Sequence, residues 1–204
     1  MNTHFILDFE SLGNNIKTTP LVNCAFTTFD WDRFVRDPYT FEELVNNIQF
    51  VKFDVKDQVN RFDCQVEKGA LEFWENQSKE VRKQLTPSSE DVNVEKFFDI
   101  LSEYLGDSKI NYWWSRSNIF DPVMLYRFAE DLDDLRIKKL LKFWNVRDVR
   151  TFIDAKFDFT VKYNRFCPVD DEKEWKSKFQ EHNSIHDVAA DILRLQRITR
   201  IEQE

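Results

Sequence analysis

The stretch His4-Phe5-Ile6-Leu7-Asp8-Phe9-Glu10 constrains this chain more than any other. It reads as a buried strand, since apolar residues run without a break up to the first acid. Side chains two apart on a strand share a face. Ile6, Asp8 and Glu10 therefore project together, and Phe5, Leu7 and Phe9 project to the other side. Two carboxylates side by side at the end of a buried strand repel each other and lose hydration. A divalent cation relieves both costs best. On its own the pattern also fits a strand that stops at Asp8 and leaves both acids in water.

A second strand fits Leu21 to Phe29, and a third fits Ile48 to Val55, where Val51, Phe53 and Val55 alternate with Phe50, Lys52 and Asp54. The period then changes. Gly69 to Leu85 looks helical, and Val94 to Leu105 puts Val94, Phe97, Phe98, Leu101 and Leu105 on one helical face. Ile110 to Trp114 reads as another strand, and Asp121-Pro122 opens a helix through about Asp133. A short strand or loop around Trp144 leads to a helix near Val149 to Ala155. The last helix covers Ile185 to Ile201, with Val188, Ile192 and Leu195 on its buried face. Leading strands with helices between and after them predict an α/β fold, a mixed central sheet flanked by helices. At 204 residues the chain fits one domain, 1–204.

Two further groups carry chemistry. Asp121 follows a strand and begins a helix, where it fits either an N-cap or a carboxylate facing the neighbouring strand. In His182-Asn183-Ser184-Ile185-His186-Asp187, an offset of five separates His182 and Asp187 by roughly 140° on a helix. Both reach one site only if His182 lies on the loop ahead of the helix. Ser184 as N-cap and Asp187 at N3 make that possible, and they equally make a plain capping box.

In order along the chain stand D-x-E on the first strand, an Asp after a later strand, and H-x-x-x-x-D near the end. That order resembles the DEDDh exonucleases. The likeness extends to FILDFESLG, EFWENQSKEVRKQLTPSSEDV, WWSRSNIFDPVML, KFWNVRDVRT and HNSIHDVAADIL, which resemble the exonuclease A family of T-even bacteriophages. The resemblance implies a ribonuclease H-like fold. It also implies a 3′→5′ exonuclease that hydrolyses single-stranded DNA to 5′-mononucleotides. Asp8, Glu10, Asp121 and Asp187 would hold two divalent cations, Mg²⁺ or Mn²⁺, and His182 would be the general base. DNA is favoured over RNA only by the phage resemblance. An exoribonuclease of the same mechanism is the alternative, and a silent nucleic-acid-binding module is a third reading. The chain departs from many such enzymes at Ser11, after the first Glu, and at Ser117, where Asn is frequent four residues before the Asp.

Other positions follow from the substrate. Phe9, Leu12 and Trp74 are candidates to contact the terminal bases, by stacking where they are aromatic. Arg147 and Arg150, or Lys138, Lys139 and Lys142, are candidate phosphate contacts. His186 is the second choice of base, and His4 lies on the order of 13 Å along the strand from Asp8. The net charge of −8 argues against coating long duplexes, although bound cations reverse the field locally. The three cysteines show no paired spacing, so reduced thiols in the cytoplasm (the host cytoplasm for a phage protein) are expected. The run Phe5 to Leu7 stops short of a signal peptide, and no apolar stretch approaches the roughly 18 residues of a membrane helix.

Overall fold

The computed structural model describes residues 2–156 and 175–201, and Cys167 falls outside them. Among the described residues five strands form one sheet: β1 (Thr3–Ser11), β2 (Leu21–Asp30), β3 (Gln49–Lys52), β4 (Tyr112–Ser115) and β5 (Val146–Asp148). Their order is β3-β2-β1-β4-β5. β1, β2 and β3 pair antiparallel, whereas β4 and β5 join parallel, so the sheet is mixed. Parallel pairing demands a crossover, and helices supply it. These are α1 (Arg33–Arg36), α2 (Phe41–Asn47), α3 (Val55–Arg61), α4 (Lys68–Glu75), α5 (Lys79–Arg82), α6 (Val94–Leu105), α7 (Asp121–Asp131), α8 (Leu135–Leu140), α9 (Val149–Lys156) and α10 (Ser184–Ile201).

β1 sorts its side chains as its alternation predicts. Phe5, Leu7 and Phe9 pack with Phe97, Phe98 and Leu101 of α6 and with Met124 and Phe128 of α7. Ile6 faces the opposite layer, with Trp114, Phe34 of α1, Val149 of α9, and Val188 and Ile192 of α10. Each fully buried side chain of this size stabilises the fold by about 1.5–3 kcal/mol. All five apolar positions expected on α6 are buried. α10 is covered more widely than a single stripe, from Val188 through Gln196, because it touches β1 and β2 on one side and α1, α2 and α9 on others. Among the described residues no helix is long and apolar enough to cross a membrane.

Some boundaries differ from expectation for local reasons. The stretch 69–85 is not one helix. It breaks after Glu75, and Ser78 Oγ accepts the Val81 N–H to begin α5. The third strand stops at Lys52 because Asp54 caps α3, accepting the Asp57 N–H at 2.9 Å. α3 is secured by Gln58, whose buried side chain accepts from Leu21 N–H and donates to Leu21 O, both at 2.8 Å. The strand sought near Trp144 lies two residues further on, after a 3₁₀ turn at Phe143–Asn145.

Candidate active site

Asp8 and Glu10 sit near the C-terminal end of β1 on the face that α10 covers. Asp187, in the first turn of α10, meets them there. One carboxylate oxygen from each of Asp8, Glu10 and Asp187 lies within 4.8 Å of the others. Asp121 is not the N-cap of α7. Phe120 takes that position without a side-chain bond, and Asp121 turns inward, 4% exposed. Its Oδ1 accepts the N–H of Phe9, the residue between the two strand acids, at 3.3 Å.

The electrostatics of this group are unfavourable without a cation. Burial, then Glu10, Asp121 and Asp187, push the Asp8 carboxyl well above its usual range. Burial, Asp187 and Asp121 do the same to Glu10. Burial lifts Asp121 to about 7 against the hydrogen bond from Phe9. It also lifts Asp187 to about 7, helped by Asp191 and opposed by Arg194 and Arg116. Crowded, desolvated carboxylates that prefer protons are a site for a competing positive charge. Their hard oxygen donors suit Mg²⁺ or Mn²⁺.

His182 lies on the loop ahead of α10, at a left-handed φ of 63°. Few non-glycine residues adopt that conformation, which stores about 1–3 kcal/mol of strain. Its ring meets Phe73 edge-on at 4.8 Å between centroids. With Glu10, Phe73 and Phe120 it lines a cleft of about 310 Å³. A second cleft, about 620 Å³, holds Asp8, Asp121, Arg116 and Arg150, and Phe9, Asn14 and Phe120 border both. Ser184 is not the cap expected of it. It is the first residue of α10, and its buried hydroxyl donates to Asn23 Oδ1 at 2.7 Å. Asn23 pairs with Glu10 across the sheet, so this bond ties the start of α10 to the acids.

The other histidines point elsewhere. His186 accepts the Gln180 N–H and packs its ring on Phe41. His4 accepts from Trp114 Nε1–H at 3.0 Å, and burial lowers its pKa to about 4.

The expected substrate contacts differ in exposure and in distance from the acids. Phe9 packs on Phe53 and Phe97, Leu12 is 7% exposed, and Trp74 is 1% exposed with its Nε1–H on Ser11 O. All three lie largely in the interior, with only the edges of Phe9 and Trp74 reaching the cleft walls. Arg147 leans over Tyr112, toward the start of β4 and away from the acids. Arg150 does line the acidic cleft.

Sequence reading missed three groups. Phe73 is 43% exposed in the His182 cleft, one residue before the candidate chosen instead. Phe120 stands at the wall between the clefts. Asp191, one turn after Asp187, is 4% exposed and bonded to Arg116 at 3.0 Å and Arg194 at 2.8 Å. An acid among apolar residues on a buried helix was the available signal for Asp191.

The 3′-5′ exoribonuclease Rv2179c-like domain matches residues 3–198. The chain belongs to the Rv2179c-like family. A second relative, the exodeoxyribonuclease of Enterobacteria phage T4, is 34% identical over 96% of this chain and 88% of its own length. Together with the acid cluster, membership in the Rv2179c-like family makes this a metal-dependent 3′-5′ exonuclease. Solved structures agree in fold. The zinc-bound complex of Escherichia coli exonuclease I with single-stranded DNA aligns with TM-score 0.59 at 15% identity, over 99% of this chain and 40% of exonuclease I. Cell-death related nuclease 4 aligns with TM-score 0.57 at 12% identity, over 98% of this chain and 64% of its own. The chain thus spans well under two thirds of exonuclease I. The sheet order and flanking helices are those of a ribonuclease H-like fold.

Proposed function

We propose that this chain, acting as one catalytic domain, hydrolyses single-stranded DNA from a free 3′ end to 5′-mononucleotides. The reading is carried by one observation: carboxylates from β1 and α10 converge within 4.8 Å, in a pocket too desolvated to hold their charges unaided. Two divalent cations, Mg²⁺ or Mn²⁺, would activate the attacking water and stabilise the departing 3′ oxygen. Asp8, Glu10, Asp121 and Asp187 would hold them. His182 takes the proton of the water, and its exposed cleft lets substrate reach the ring. Phe73, far more exposed than Trp74 in the same cleft, takes the stacking role, and Arg150 contacts phosphate. Action in the cytoplasm, that of the host for a phage chain, suits the buried free thiols of Cys24 and Cys64.

DNA is favoured by the phage T4 exodeoxyribonuclease, similar over nearly the whole chain. The family's description as exoribonuclease favours RNA as the second reading. Matched 3′-ended DNA and RNA oligonucleotides decide between them, and faster release from DNA is expected. Asp8→Ala, or EDTA, should abolish release while circular dichroism stays unchanged. Full activity in EDTA overturns the metal assignment.

A further inference from the structure

Phe143 and Trp144 stand in water at the sheet edge, 68% and 60% exposed, in the 3₁₀ turn before β5. The turn is pinned. Trp113 Nε1–H and Asn145 N–H both donate to Lys142 O at 2.9 Å. Arg147 Nη1 donates to Trp144 O at 3.1 Å and to Val146 O at 2.7 Å. The Arg147 guanidinium lies 4.1 Å over the ring of Tyr112, itself 38% exposed, and Lys142 Nζ is 5.6 Å from the Trp144 ring centre. The two rings meet edge-on at 4.9 Å between centroids. Apart from that contact the pinned turn holds them in water, which marks a surface used for contact.

Charge selects the occupant. Residues 135–147 carry five Lys and Arg and no acid, in a chain of net charge −8. Arg136 and Lys138 pair with Asp99, Asp134 and Glu130, whereas Lys142 and Arg147 lie against the rings. β5 runs parallel to β4, and β4 to β1, so it leads from the turn toward the acids. Arg150, just beyond β5, already lines the cleft with Asp8 and Asp121. The acid on this route, Asp148, accepts the N–H groups of Asn118 and Thr151. From Trp144 to Arg150 the chain spans on the order of 20 Å at most, by strand rise.

We infer that the Phe143–Trp144 turn is a second binding surface, for the upstream part of the single DNA strand whose 3′ end lies at the acids. Bases stack on the two rings, and Lys142 and Arg147 meet phosphates. The inference rests on the single-strand reading above.

Mononucleotide release in Mg²⁺ from oligo-dT of 3 and of 15 nucleotides tests it, with wild type, Trp144→Ala and Trp144→Phe. The shorter strand covers far less of the route from the acids to the turn than the longer one. Trp144→Ala should raise KM for the 15-mer roughly 10-fold, the scale of one lost stacking contact. It should leave kcat, and the KM of the 3-mer, unchanged. Trp144→Phe should restore most of the loss, and anisotropy of a labelled 15-mer in EDTA should weaken in parallel. An unchanged KM for the 15-mer overturns the inference, and so does an equal loss on both lengths. A dimer in sedimentation that Trp144→Ala dissolves gives the turn to a second copy of the chain and also overturns it. Failure of the wild type to degrade any single strand sinks the underlying reading instead.

Discussion

A carboxylate followed by proline at a helix start is usually a cap, and Asp121 reads that way in isolation. The fold uses it otherwise, on the Phe9 N–H beside Asp8 and Glu10. The consequence can be measured through pH. Asp121 and Asp187 sit near 7, and Asp8 and Glu10 well above their usual range, so the metal-free fold binds more protons than the unfolded chain above about pH 4. Stability must then fall as pH rises through that window. In EDTA the Tm should drop from pH 5 to pH 8, provided other groups are matched by comparing with Asp8→Asn. Added Mn²⁺ should raise Tm more at pH 8 than at pH 5, because binding displaces protons. A Tm shift by Mn²⁺ independent of pH counts against the cluster as the metal site. His182 separates catalysis from architecture in a different way. Substitution by Ala should lower kcat by roughly 10²–10⁴-fold. Substitution by Gly should lower it equally yet give a higher Tm than Ala, since only Gly adopts φ of 63° freely. His186→Ala should keep most activity, since His186 packs on Phe41 away from the acids.

On α4, adjacent aromatics have opposite fates. Trp74 is buried and bonded to Ser11 O, and Phe73 faces His182. Trp74→Ala should therefore cost about 3–5 kcal/mol in denaturant unfolding. Phe73→Ala should barely change stability and should raise KM. The reverse pattern would return Trp74 to the substrate. α10 carries the other decisive pairing. Asp191 neutralises Arg116 and Arg194 one turn below Asp187, with Asp191 and Arg194 almost wholly buried. Asp191→Asn leaves two cations near the acids. It should destabilise by about 3–5 kcal/mol and weaken Mn²⁺ binding in calorimetry. Arg194→Gln in the same chain should recover part of the affinity. Unaltered affinity in Asp191→Asn would show that this charge is structural alone.

At the scale of the whole molecule, an exonuclease of net charge −8 needs its positive field to be local, which the proposed metal site and the basic stretch leading to Arg150 would supply. A circular single strand should resist cleavage and its linear form should not. Ready cutting of the circle, seen as a linear product on a gel, would mean an endonuclease. The sequence by itself determined what short-range periodicity and residue chemistry encode. It gave the two faces of β1 at Phe5, Leu7 and Phe9 against Ile6, Asp8 and Glu10, the buried stripe of α6, the mixed α/β class and the order of the four acids. Helices as short as α1, α2 and α8 escaped it, since four to seven residues hold too little periodicity to register. Trp74 and Phe73, or Asp121 as cap or ligand, could not be separated either. Neighbours in sequence differ in burial only once another element packs against one of them. Only the tertiary structure decided those cases, because burial, strand crossover and the meeting of β1 with α10 are set by contacts between residues from 63 to more than a hundred positions apart.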